Sequence, residues 1–176
     1  MSHPMPNRFI PAEFLTTHHY IFGQLRVTQS GLMGMLSDVS SSYLEMTEAS
    51  LALIYKPDKV VNYAPLLNMV RSRVVAVCLG KRDYLGMQGV IRTGYQRLYP
   101  YPVQITTASY DITGTLDWTA RLEFMAVMSD GTNDFLLING ARLTSPLFPA
   151  LHLEAPVILV NRTYIETMVV QPKVEG

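Results

Sequence analysis

Two Ser-Asp pairs come nearest, by residue type and spacing, to catalytic chemistry. Ser37-Asp38 and Ser129-Asp130 recur in similar surroundings along the chain. A serine nucleophile needs a base within reach of its hydroxyl and a third group that orients that base. No histidine recurs at an equivalent place beside the two pairs. Because Ser and Asp side chains also end helices and begin turns, we expect a capping role and no enzymatic activity.

The histidines and the single cysteine are the candidate metal ligands. His18 and His19 are adjacent, and adjacent side chains on a strand point to opposite faces. Zinc needs three or four convergent ligands, but His3, His152 and Cys78 lie in segments remote from this pair in the sequence. We therefore predict no metal site and no cofactor, and we expect the cysteine to be a small buried apolar residue.

A basic segment that also contains tyrosines is the candidate binding surface. Residues 71–97 carry six cationic side chains and one acidic one, whereas residues 105–140 carry five acidic side chains and one cationic one. Arginine with tyrosine is typical of protein interfaces and also of sites that stack on bases. The candidate interface residues are Arg71, Arg73, Arg82, Arg92, Tyr95, Arg97, Tyr99 and Tyr101.

Three interpretations of this basic segment are open. The charges are solvated, or the basic segment docks on the acidic one within or between chains, or it binds a phosphate-bearing ligand. A nucleic-acid binder usually has a positive surplus over its whole domain, whereas this chain has 14 Lys+Arg and 14 Asp+Glu. We therefore expect a protein partner, first of all a second copy of the chain in a homo-oligomer, and place nucleic acid behind it.

The composition is that of a folded globular protein. Hydrophobic residues make up 48% of the 176 residues and charged residues 16%, which excludes intrinsic disorder. No apolar run approaches the ~18 residues of a membrane span, and the first residues lack the apolar core of a secretory signal. A single cysteine forms no internal disulfide and suits a reducing compartment. These features predict a cytoplasmic protein without a membrane span.

The chain also repeats itself, which bears on the fold more than any single motif does. Ile-x-Gly-x-Leu occurs at residues 21–25 and again at residues 112–116, and a Ser-Asp pair follows each. Further on, residues 43–51 match residues 135–143 without a gap at the apolar positions. We infer an internal duplication from these ordered matches.

Each copy is predicted to contain a strand, a short helix and two further strands. The Ile-x-Gly-x-Leu segments alternate with period two, as half-buried strands do, and a glycine there indicates a bulge or the close approach of another backbone. The helix is predicted at 31–37 and its counterpart at 121–129, and each copy closes with a β-branched run, at 74–77 and 157–160. The predicted core residues are Leu25, Leu44, Met46, Val75, Val77, Leu116, Leu136, Ile138, Ile158 and Val160.

The end of the second copy resembles a known module. Residues 160–168, Val-Asn-Arg-Thr-Tyr-Ile-Glu-Thr-Met, are similar to the closing signature of bacterial modules built on the Sm-like small barrel. This resemblance implies a mainly β fold of two tandem Sm- or SH3-like small barrels with short helices. The first module would span 1–85, the connecting segment 86–104 and the second module 105–176.

Together these features predict a non-catalytic interaction, scaffold or assembly subunit that associates with itself through its sheet edges, because small sheets leave unpaired edges. The alternative is a regulatory module that binds a ligand or RNA through the Arg/Tyr-rich segment 71–101.

Overall fold

The strands form one antiparallel sheet in the computed structural model, which describes residues 8–86, 97–129 and 134–172. In these residues the strands are β1 Arg8–Leu15, β2 His19–Val27, β3 Tyr43–Leu53, β4 Lys56–Val70, β5 Ala76–Leu79, β6 Tyr99–Thr106, β7 Asp111–Trp118, β8 Phe135–Thr144, β9 His152–Asn161 and β10 Thr167–Val170. The helices there are α1 Gly31–Ser37 and α2 Phe124–Ser129, with 3-10 helices at Arg71–Arg73, Arg82–Leu85 and Arg162–Tyr164. The predicted mainly β class with short helices is confirmed.

The strand order is β10-β6-β7-β8-β9-β5-β1-β2-β3-β4. The pair formed by β5 and β9 lies inside the sheet and joins the early strands to the late ones. At the two ends of the sheet lie β4 and β10, each of which has one neighbouring strand among the described residues. The sheet is therefore open, with one early and one late strand at its edges.

The elements follow in the same order from β1 to β5 and from β6 to β10. Each stretch has two strands, an α-helix, two strands, a 3-10 helix and a last strand. That last strand pairs with the first strand of its own stretch, β5 with β1 and β10 with β6. The strand pairing is therefore also the same in both stretches.

The glycines of the two Ile-x-Gly-x-Leu segments lie where the strand registers shift. In the β2–β3 pair the shift falls around Gly23, and in the β7–β8 pair around Gly114. A Cβ atom on Gly23 would lie 2.8 Å from the backbone oxygens of Thr47 and Glu48, and one on Gly114 would lie 2.9 Å from that of Asn139. Each glycine therefore permits the close backbone approach that its place in the strand predicts.

Two apolar clusters form the core, and each contains residues from both stretches. The first cluster packs early strands and α1 with Phe135, Leu137 and other residues of β8 and β9. The second packs the late strands with Leu15 and with residues of β5. All ten predicted core residues are at most 2% exposed, which confirms that prediction.

The two β-branched runs do not close equivalent units. Residues 157–160 lie in β9, whereas residues 74–77 lead into and begin β5. The runs pair with each other, with Val77 opposite Leu159 and Ala76 opposite Val160. Their similar composition reflects burial on both faces of the sheet. The late counterpart of β5, by order and pairing, is β10.

Part of the predicted connecting segment 86–104 is a strand, because residues 99–104 belong to β6. Pro100 and Pro102 made this stretch look like a loop. The carbonyl oxygen of Pro102 accepts a hydrogen bond from the backbone N of Gln171, just after β10 ends. In an antiparallel sheet the nitrogen and the carbonyl of one residue face the same neighbouring strand, so the ring nitrogen of Pro102 also faces the β10 side. Only residues 103–106 of β6 pair with β10, so the prolines remove no donor that the sheet uses.

Candidate functional site

The long open edge of the sheet is β4. This strand has 15 residues and pairs with β3 on its inner side. Large apolar residues on it are 46% to 55% exposed, namely Val60, Val61, Tyr63, Leu66 and Val70. An edge strand presents unpaired backbone N–H and C=O groups that another strand can bind. Exposed apolar side chains beside those groups add area that a bound strand would bury.

The short open edge is β10, at the opposite end of the sheet. Its residues pair with β6 from Thr167 opposite Thr106 to Val170 opposite Val103. The side chains of Val169 and Val170 are 54% and 42% exposed. Within the described ranges, the second edge therefore combines backbone groups that no strand pairs with and exposed valines, as the first one does.

A complete strand contact of the same kind lies inside the chain, where β5 pairs with β9, and we call it the central joint. The four residue pairs of the joint are Ala76–Val160, Val77–Leu159, Cys78–Ile158 and Leu79–Val157, and all eight residues are buried. Beyond the ladder, the backbone N of Asn161 donates to the carbonyl oxygen of Val75 at 2.9 Å. The central joint thus shows what a covered edge looks like in this protein.

Of the predicted interface residues, Arg71 is used within the chain. Its guanidinium donates to the carbonyl oxygen of Leu36 at 3.3 Å and to that of Asp38, at the end of α1. The hydroxyl and the backbone N–H of Ser40 donate to the Asp38 carboxylate at 2.6 and 2.9 Å. These two hydrogen bonds, with Arg71 nearby, lower the pKa of Asp38. Both charges therefore fix the turn that follows α1.

Arg82 connects the basic segment with the acidic one through Asn139. The Arg82 guanidinium donates to Oδ1 of Asn139, whose Nδ2 donates to Oδ2 of Asp117 at 3.2 Å. Arg73 lies in the 3-10 helix before β5, and its side chain is exposed. One of the predicted basic residues is thus linked to an acidic residue of the other half within the chain.

The aromatic part of the predicted interface lies on and beside β6. The Arg97 guanidinium carbon lies 5.2 Å from the centre of the Tyr99 ring, and the Tyr101 hydroxyl donates to the carbonyl oxygen of Ala120 at 2.9 Å. Arg92 and Tyr95 lie outside the described residues. Because β7, β8 and β9 separate β6 from β5 in the sheet, these residues lie apart from Arg71 and Arg73 in the strand order, whereas Arg82 reaches Asp117 of the neighbouring strand β7 through Asn139.

The serines of the two Ser-Asp pairs bond within their own helices. The Ser37 hydroxyl donates to the carbonyl oxygen of Met33 at 2.8 Å, and that of Ser129 donates to Met125 at 2.7 Å. Asp130 lies outside the described residues. These hydroxyls thus bond the backbone carbonyl one turn earlier in the same helix, so for the two serines the predicted capping role stays a prediction.

Cys78 is buried in the central joint. Burial, with a smaller contribution from the Glu13 carboxylate, raises the pKa of its thiol, which is therefore held protonated. A protonated thiol is a poor nucleophile and a poor metal ligand. Within the described residues no three His, Cys, Asp or Glu side chains are placed to hold a metal ion. No helix in that part of the chain is long and apolar enough to cross a membrane.

Sequence analysis did not identify the edge strand β4. Residues 60–70, Val-Val-Asn-Tyr-Ala-Pro-Leu-Leu-Asn-Met-Val, have the β-branched and aromatic residues of a strand. This composition was the available signal for a strand, whereas the edge position of β4 follows from the strand order.

No known protein family matches the chain, and comparisons with curated proteins and with solved structures give no match. The geometry of the chain is therefore the basis for the function proposed below.

Proposed function

We propose that this chain is a non-catalytic assembly subunit that binds partner strands at its two open sheet edges. The observation that carries the proposal is the exposed apolar surface of β4, where Val61 is 50% and Leu66 55% exposed on an edge strand. Monomeric proteins usually blunt or cover such an edge. A long apolar edge that no other part of the described chain covers is typical of a strand that another chain completes.

The two stretches, β1–β5 and β6–β10, are proposed to be copies of one Sm-like small unit. Local geometry supports this beyond the order of elements. The backbone N of Arg71 donates to Ser42 at 2.9 Å, and that of Arg162 donates to Asp134 at 2.8 Å, at the same step of each stretch. Likewise Glu48 and Gly140, opposite the two strand glycines, have φ angles of 50° and 52°. Shared positive φ at matched positions supports a common origin.

The apolar edges supply most of the proposed binding energy. Full burial of a Val or Leu side chain contributes roughly 1.5–3 kcal/mol, and association must first offset the lost freedom of the two chains. The basic residues play a smaller part, since Arg71 and Arg82 already bond within the chain. Charges of this kind set register and encounter rate more than affinity.

Sedimentation velocity of the parent and of edge variants tests the proposal. We expect an oligomer for the parent, and smaller species for Leu66→Lys and for Val169→Lys, because a buried lysine opposes strand addition. The matched control is Leu147→Lys, since Leu147 is 71% exposed and lies in the connection between the inner strands β8 and β9. The control should sediment as the parent does, and circular dichroism should report the same fold for all four proteins.

The same runs at 0.1 M and 1 M salt separate apolar from charge-driven association, because the Debye length falls from ~10 to ~3 Å. We expect the oligomer to persist at 1 M salt. A parent that is monomeric at high concentration in both salts would overturn the assembly proposal. A monomer that co-purifies with nucleic acid would favour the alternative of an RNA-binding module.

A further inference from the structure

We infer that the strand bound at β4 is β10 of a second copy of this chain, added head to tail in the register of the central joint. This inference rests on the proposed function and names the partner. The inference comes from comparing the central joint with the open edges, because each strand of the joint has a counterpart at an open edge. β5 corresponds to β10 and β9 to β4, by element order and by pairing.

The strands of the central joint are buried, whereas their counterparts at the open edges are partly exposed. All four residues of β5 are buried, whereas in β10 Val169 and Val170 are 54% and 42% exposed. Val157 in β9 is fully buried, whereas Leu66, at the same distance before the 3-10 helix, is 55% exposed on β4. Among the described residues, the edges therefore lack the cover that the same positions have in the joint.

The register follows from the inner ladders, which match. Leu44 pairs with Met69 in β3–β4, and Leu136 pairs with Val160 in β8–β9. Each of these β4 and β9 residues lies two positions before its 3-10 helix. Carrying the pairs of the central joint to the edges gives the interchain pairs Thr167–Met69, Met168–Asn68, Val169–Leu67 and Val170–Leu66.

Two prolines mark the same step of β4 and β9. In the joint the last pair is Leu79 with Val157, directly after Pro156. On β4 the last inferred pair contains Leu66, directly after Pro65. The inferred ladder therefore has four pairs, as the joint has, and β10 has four residues.

A second copy satisfies both edges at once. Each chain presents one β4 and one β10 at opposite ends of its sheet. A contact between two different surfaces is heterologous, and it repeats from chain to chain. A symmetric contact of β4 with β4 would leave every β10 uncovered, so the head-to-tail contact is favoured.

Disulfide trapping tests the register. In antiparallel pairing, hydrogen-bonded and non-hydrogen-bonded pairs alternate, and non-hydrogen-bonded pairs have the closer Cα atoms. The backbone bond from Asn161 to Val75 makes that pair hydrogen-bonded, so Ile158 and Cys78, three steps along, form a non-hydrogen-bonded pair. Their inferred interchain counterparts are Leu67 and Val169, which therefore suit a disulfide.

The experiment co-expresses a Leu67→Cys chain with a Val169→Cys chain and oxidises the purified mixture with copper phenanthroline. We expect a covalent dimer from the mixture and none from either variant alone, because the contact joins two different edges. The matched control pairs Val61→Cys with Val169→Cys, which places an exposed β4 cysteine out of register, and we expect no dimer. Cys78 is buried in every variant, and the oxidised parent reports any contribution from it.

The outcomes separate this inference from the proposed function. Cross-linking of Leu67→Cys alone would indicate a symmetric β4 contact and would overturn the head-to-tail inference while the assembly proposal stands. If the parent is an oligomer but the mixture of Leu67→Cys and Val169→Cys chains gives no covalent dimer, the head-to-tail inference is likewise overturned while the assembly proposal stands. A monomeric parent would overturn both.

Discussion

The side-chain amide of Asn161 donates a 2.9 Å hydrogen bond to the carbonyl oxygen of Val74, 87 residues earlier in the chain. Asn161 is 3% exposed, and its Oδ1 atom accepts a bond from the backbone N of Thr163 at 3.1 Å. Its own backbone N donates to Val75. One buried side chain thus closes the end of the central joint and begins the 3-10 helix that leads to β10.

Replacing this residue tests how much the joint contributes to folding. Asn161→Val removes both side-chain bonds and leaves the Val74 oxygen without its side-chain donor. We expect a loss of about 1–3 kcal/mol in the free energy of unfolding. Urea denaturation measures it, and Asn62→Val, at an exposed position of β4, should change stability by less than about 0.5 kcal/mol. Equal midpoints for the two variants would show that the bond to Val74 contributes nothing.

The strand glycines should tolerate no side chain. Gly23→Ala and Gly114→Ala each bring a Cβ within 3.0 Å of backbone atoms of the neighbouring strand, and such overpacking costs about 1–3 kcal/mol. Gly80→Ala is the control, because a Cβ there meets nothing within 4 Å. Thermal melts should therefore rank Gly80→Ala near the parent and the other two below it. A Gly23→Ala melt at the parent temperature would contradict the close approach of β2 and β3.

The predicted core gives a third test. Leu136 is fully buried in β8, and truncation to Ala should cost about 2–5 kcal/mol. Leu147→Ala is the matched control, because the Leu147 side chain is 71% exposed and its truncation should change the free energy of unfolding little. Urea denaturation of both variants compares them directly. A Leu136→Ala variant as stable as the control would contradict the assigned strand face.

Local patterns predicted the strands and their buried faces well. Alternation of apolar and polar residues is a property of a single strand, so it identified β2, β3, β7 and β8 without knowledge of their neighbours. The helix predicted at 31–37 is α1, and the helix predicted at 121–129 is shorter, beginning at Phe124. Such features depend on a few adjacent residues.

Strand pairing could not be predicted in the same way, because it is not local. The runs at 74–77 and 157–160 look alike, yet they are neighbours in the sheet and not equivalents. The candidate edges depend on which strands lack a second neighbour, and no residue type states that. The exposed valines of β4 indicate an edge only once the order of strands is known.

Stability should decline in alkaline solution through Cys78. Burial raises the pKa of its thiol above the ordinary 9.0, so the folded chain keeps a proton that the unfolded chain loses. The stabilising contribution is complete below pH 9 and is lost as the pH rises from there toward the folded pKa, by at most about 1.4 kcal/mol per pH unit. We expect Cys78→Ala to be less stable at neutral pH but to decline less steeply above pH 9.

Melting temperatures from pH 7 to 10 compare the two slopes. Burial also raises the pKa of Tyr20 and Tyr110, whose ordinary value is 10.0, so their contribution begins to be lost only about one pH unit higher. A difference in slope between parent and variant from pH 9 to 10 therefore arises mainly from the Cys78 thiol. Parallel slopes for parent and variant over this interval would rule out Cys78 as the source.

An asparagine on the open edge strand β4 should strengthen self-association, because the Asn161 side chain closes the end of the central joint. Val70 is the counterpart of Asn161 before its 3-10 helix, with φ −70° and ψ 116° against −69° and 118°. An asparagine therefore fits the backbone at Val70, where the present side chain is 53% exposed. In the inferred head-to-tail contact, its amide would reach the carbonyl oxygen of Ile165 in the next copy, as Asn161 reaches Val74.

We therefore expect Val70→Asn to tighten self-association. One added hydrogen bond has a net value of about 0.5–1.5 kcal/mol, which corresponds to roughly 2- to 10-fold in the dissociation constant. A dilution series in sedimentation velocity measures it, with Val61→Asn as control, since Val61 is exposed on β4 to a similar extent but lies outside the inferred ladder and has no acceptor opposite it. The control should associate as the parent does or more weakly. If Val70→Asn weakened association as much as Val61→Asn, the edge would not be completed in the register of the central joint.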